Sequence, residues 1–127
     1  MPVKAEEALQ NVLSLDLRGN ETKWFEKLCQ YTDYWINNHF DGHSVHISFE
    51  RMFIPNPETK NGEINCGWHP YSLTHWRQAV VVRVWIKTYE DLGWRITPTG
   101  EKWSDDRYSA YKFEVDKRDI AIKKILE

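Results

Sequence analysis

The chain has 127 residues and a formal net charge of -2, from 17 basic and 19 acidic side chains. That is room for one domain spanning residues 1–127, and too little positive charge for a strongly cationic nucleic-acid binder. Apolar residues make up 41% and aromatics 14%, so rings supply much of a modest core.

No run approaches the roughly 18–20 apolar residues of a membrane span. The longest, Ala79 to Val82, stops at Arg83. The opening residues Met1 to Glu7 carry acids and no apolar leader segment. A cytoplasmic setting without membrane contact is therefore expected, with Cys29 and Cys66 kept as thiols.

In chain order, Ala5, Ala8, Leu9, Val12 and Leu13 recur at helical spacing from Val3 to Leu15, with Gly19 as a stop. Asn20 offers an N-cap for a second helix. Its stripe is Trp24, Leu28, Tyr31, Trp35 and Ile36, and Asp41-Gly42 ends it. Val45, Ile47 and Phe49 then alternate with polar residues, the period of a half-buried strand. Pro55, Asn56, Pro57, Asn61 and Gly62 mark an exposed loop reaching about Pro70.

A third helix, capped by Ser72 or Thr74, runs to Leu92-Gly93. Segment 80–86 is β-branched and aromatic enough to compete as a strand, but the length of the periodic stretch favours helix. Trp94 and Ile96 begin a strand, Pro98 to Asp106 reads as a loop, and Tyr111, Phe113 and Val115 form the strand that completes a hairpin. Asp119 caps a last helix through Ile120, Ile122, Ile125 and Leu126. The order α-α-β-α-β-β-α predicts a single α+β domain: a small, partly antiparallel sheet of about three strands with helices packed on one face. Trp76, Trp85, Trp94 and Trp103 are evenly spaced, but no other position repeats with them, so they mark no internal repeat.

Three chemistries compete. His43, His46, Cys66 and His69 form two short pairs of zinc-ligand types, yet His43 and His46 lie three apart beside a strand, where side chains point to opposite faces. As general acids or bases, His43, His46, His69 and His75 stand near Asp41 and Glu50, but no nucleophile elbow, phosphate loop or paired-carboxylate motif selects among them. An enzyme, which would be metal-dependent, is the third reading, and no cofactor is expected.

Charge is uneven: residues 1–63 hold six basic and ten acidic side chains, and 64–127 hold eleven and nine. The basic, aromatic C-terminal half makes nucleic acid the second reading, through Arg77, Arg83, Lys87, Arg95, Lys102, Arg107 and Lys112, with Trp94, Trp103, Tyr108 and Tyr111 as stacking platforms on a sheet face. A helix followed by a hairpin is also the order of a winged helix, but the helix is too apolar around Val80 to Ile86 for a groove-facing surface.

The leading expectation is a protein-interaction module, the profile of the small accessory proteins that viruses and mobile elements encode. Seven tryptophans are far above ordinary usage, and Trp and Tyr anchor interfaces because one rigid ring buries much area at low entropy cost. The expected presenting surfaces are the loop Asn56 to Tyr71 and the tip Pro98 to Tyr108. Trp68, Tyr71, Trp103 and Tyr108 are the expected contacts with a protein partner.

Overall fold

The computed structural model describes residues 4–5, 17–104 and 107–115. The helices expected at Val3 to Leu15 and after Asp119 lie outside the described residues. Within them the order is α1 (Gly19–His39), β1 (Ser44–Ser48), β2 (Phe53–Pro55), β3 (Glu63–Asn65), a 3-10 turn (His69–Tyr71), α2 (His75–Asp91), β4 (Trp94–Pro98), β5 (Lys102–Ser104), β6 (Arg107–Tyr108) and β7 (Ala110–Val115).

Helix α1 starts two residues earlier than its sequence suggests. Arg18, not Asn20, is the N-cap: its N–H donates to Glu21 Oε1 at 3.0 Å, and the Glu21 N–H donates to the Arg18 carbonyl at 2.7 Å. Gly19 therefore begins this helix, and does so at φ +38, a left-handed entry that glycine tolerates. Trp24, Leu28, Tyr31 and Thr32 make the buried stripe.

Helix α2 is capped by Thr74, whose Oγ1 accepts from the Arg77 N–H at 3.4 Å, and it ends before Gly93 at φ +100. Segment 80–86 is helical because Gln78, Val81, Val82, Trp85 and Tyr89 fall on one buried side at α spacing. The helices are also tied by polar bonds. Trp85 Nε1 donates to Thr32 Oγ1 at 2.8 Å, and the Tyr89 hydroxyl to Asp33 Oδ1 at 2.6 Å.

The main sheet has three antiparallel strands in the order β1-β7-β4, so its last strand is its centre. Val45 pairs with Phe113 and Ile47 with Tyr111 across β1 and β7, while Ile96 pairs with Phe113 across β4 and β7. These residues share the inner face, where Trp85 packs 5.1 Å from Phe113 and 5.5 Å from Tyr111, centroid to centroid. Both helices cover that face. The outer face carries Ser44, His46, Ser48, Arg95, Thr97, Lys112 and Glu114. The result is a mixed α+β fold on one core.

Two expected loops contain strands. Pro55 to Pro70 contains β3, which pairs with β2 at its start as Phe53 with Asn65, Ile54 with Ile64 and Pro55 with Glu63. The Pro, Asn and Gly cluster is the turn between them, closed by Asn56 N–H to the Gly62 carbonyl at 2.9 Å. Pro98 to Asp106 contains β5, which pairs with β6 just beyond it, with a register shift between Lys102 and Ser104. The expected hairpin is thus β4 with β7, and β5 and β6 form a smaller one inserted in its connection. Strands of two or three residues are too short for a period-two pattern to register in the sequence.

Candidate interaction site

The site begins in the core. Trp24 of α1 is fully buried, and its Nε1 donates to the Cys66 carbonyl at 3.0 Å, which fixes the segment after β3. That bond brings Trp68 edge-on to Trp24, with centroids 6.1 Å apart and planes at 66°. Trp68 in turn meets Trp103 of β5 at 5.9 Å and 62°. Three rings so run from core to surface, and Trp103, the last, is 36% exposed.

The connection that carries Trp103 is held tightly at its base. The N–H groups of Thr99 and Gly100 both donate to the Ala110 carbonyl, at 3.0 and 3.2 Å. A Cβ on Gly100 would lie 2.2 Å from Ser109 Oγ and 2.5 Å from the Ala110 nitrogen, so only glycine fits this approach. Glu101 and Ser109 exchange bonds: the Glu101 N–H donates to Ser109 Oγ at 2.7 Å, and the Ser109 N–H to the Glu101 carbonyl at 2.8 Å.

Arg107 of β6 lies under the two outer rings. Its guanidinium carbon is 4.9 Å from the Trp68 centroid and 5.2 Å from that of Trp103, within cation–π range. The residue is only 6% exposed. Its Nη1 donates to Gln78 Oε1, and Gln78 Nε2 donates to the Leu73 carbonyl at 2.7 Å. Burial pushes the Arg107 guanidinium below its ordinary pKa, with the Tyr111 phenol acting in the opposite direction. Among the described residues no carboxylate pairs with Arg107, and its Nε has no acceptor.

Of the residues expected to contact a protein partner, Trp68 and Trp103 are therefore brought together. Tyr71 ends the 3-10 turn half-buried, its carbonyl accepting from Asn20 Nδ2 at 3.3 Å. Tyr108 is half-buried and edge-on to Tyr111, at 6.2 Å and 81°.

The basic residues assigned to a nucleic-acid surface are dispersed. Arg77 is bonded to Glu21 and Arg107 is buried, while Arg83 and Lys87 are exposed on α2. Arg95 and Lys112 flank Glu114 on the outer sheet face, at 3.6 and 3.1 Å, and Lys102 is exposed on β5. The proposed stacking platforms face elsewhere. Tyr111 is in the core and Trp94 packs on Phe40 and Phe113, so the outer face of the main sheet carries no Trp, Tyr or Phe.

Of the four zinc-ligand candidates, His43, His46 and Cys66 do not converge. His43 and His46 are exposed before and on the outer face of β1, whereas Cys66 is fully buried in the core with Sγ 3.9 Å from the Ile64 carbonyl. The His69 side chain lies outside the described residues. Among those described, no three His, Cys, Asp or Glu side chains are grouped to hold a metal ion.

Sequence reasoning missed Trp24 and Gln78 as parts of the site. For Gln78 a signal existed: it is the polar member of an otherwise apolar stripe, a position where an amide must find buried partners. Among the described residues no helix is long and apolar enough to cross a membrane. Comparison with protein-family models, curated proteins and solved structures finds no match.

Proposed function

We propose that this chain is a cytoplasmic accessory protein that acts by binding another protein, with Trp103 as the anchor residue. The observation that carries this reading is the run of rings Trp24, Trp68 and Trp103, which roots an exposed tryptophan in the core. Trp and Arg are the residue types in which interface energy concentrates. Two free thiols, Cys29 and Cys66, fit a reducing compartment. The dispersal of the seven basic residues makes a single phosphate-tracking surface a weaker reading.

The test is affinity capture from nuclease-treated lysate, with Trp103→Ala beside the wild type and a Arg83→Glu, Lys87→Glu variant as a charge control. Circular dichroism confirms that each variant is folded. A protein recovered by the wild type and the charge variant at low and high salt, and lost with Trp103→Ala, is the expected result. Recovery that disappears with nuclease, or that ignores Trp103→Ala, overturns the reading.

A further inference from the structure

A guanidinium has five N–H donors and cannot shed its charge at any ordinary pH. Arg107 uses its Nη1 on Gln78 and presents its cationic plane to Trp68 and Trp103, yet its Nε–H is buried without an acceptor among the described residues. Ring faces offset only part of the lost hydration, and a neutral amide is no counter-ion. The group is thus held in place, desolvated and, among the described residues, short of one anionic partner. A buried polar group of this kind is the exception among native side chains and calls for a physical reason.

We propose that Arg107 is a recognition site for a single carboxylate, an Asp or Glu side chain of the bound protein, with Trp103 as a lid that swings aside to admit it. This rests on the protein-binding reading and names what the partner brings to the site. The Nε edge of the guanidinium is a fork that takes a carboxylate with two parallel hydrogen bonds, and the low polarity between the two indoles strengthens them.

One guanidinium matches one negative charge. A phosphate dianion is usually met by several cations or by a helix N-terminus, and Arg107 is the one cation that the described residues place over these two rings. The lid is built to move. Trp103 stands at the register shift of a three-residue strand whose partner strand has two residues, so its ring can swing without breaking a long hydrogen-bond ladder. Trp68, pinned by Trp24, stays as the fixed wall.

The experiment uses the full chain, with the Arg107 Nε–H and the Trp68 and Trp103 indole N–H resonances followed by NMR. Doubly capped glutamate is titrated in, then capped glutamine, then inorganic phosphate. A saturable shift of Arg107 Nε–H and Trp103 with glutamate but not glutamine supports the site, as does binding at least about tenfold weaker in Arg107→Lys, which keeps the charge but not the fork.

No shift with glutamate overturns the proposal, and so does phosphate binding as tightly as glutamate. Asp105 and Asp106 precede Arg107 in sequence. An Asp105→Asn, Asp106→Asn variant whose Arg107 Nε–H resonance moves before any ligand is added shows that the chain supplies its own carboxylate, which also overturns it. Failure here leaves the Trp103→Ala capture result standing, so the two readings fall separately.

Discussion

Arg77 grips Glu21 with one edge of its guanidinium, Nε 2.6 Å from Oε2 and Nη2 2.7 Å from Oε1. The contact joins the first turns of α1 and α2, and Glu21 at the same time accepts from the Arg18 N–H that caps α1. One carboxylate thus sets both where α1 begins and how the helices meet.

Acid should weaken this joint. The Arg77 hydrogen bonds hold the Glu21 carboxyl below its ordinary pKa against the opposing effect of burial. A depressed carboxylate pKa means that the stability it adds is fully present above the unfolded value and is lost as pH falls through the folded one. Glu21→Gln should lower unfolding free energy by about 2 kcal/mol at neutral pH. Denaturant melts should show that gap closing below the usual carboxylate range, and a gap independent of pH would contradict the assignment.

The Trp85–Thr32 bond makes a second test, because it is buried and joins the two helices. Thr32→Val keeps the shape but leaves the Trp85 N–H without its acceptor, and should cost about 2 kcal/mol. Trp85→Phe removes the donor instead. In a double-mutant cycle by chemical denaturation, the pair should cost less than the sum of the single changes, by about 1 kcal/mol.

The cysteines should be slow nucleophiles. Burial pushes the Cys29 and Cys66 thiols up to about 11, so their thiolate fraction at neutral pH falls about a hundredfold relative to an unperturbed group. Alkylation of the native protein should be correspondingly slow and should reach two thiols at full rate once the chain is unfolded. Fast native labelling of Cys66 would show that its segment opens readily despite the Trp24 bond to its carbonyl.

These tests also mark what the sequence made legible. Val45 and Ile47, or Tyr111 and Phe113, announce their strands because one face of each is buried and the other is wet, and α2 announces itself by length. Phe53 to Pro55 and Lys102 to Ser104 do not, since three residues carry no period. Trp68 and Trp103 stood out as rings in polar surroundings, which is half of the site. Arg107 read as one of seven basic residues of a nucleic-acid surface, because charge signals exposure by default. Its burial depends on Trp68 and Trp103, far apart in sequence, closing over it, and on Gln78 from another element. That meeting is a property of the fold and not of any local stretch.

If Arg107 is kept for binding and not for stability, its replacement should separate the two. Among the described residues Arg107 has no counter-ion; a desolvated charge of that kind is a poor stabiliser, and buried ionic groups exchanged for apolar ones of similar volume often leave stability unchanged or raised. Arg107→Met alone would orphan Gln78 Oε1, so the informative variant is Gln78→Leu with Arg107→Met, which removes donor and acceptor together. Its unfolding free energy should lie within about 1 kcal/mol of the wild type or above it, while capture of the partner is lost. A fall of several kcal/mol in denaturant melts would instead make Arg107 a structural tie between β6 and α2, and would remove the reason for expecting a carboxylate at its Nε.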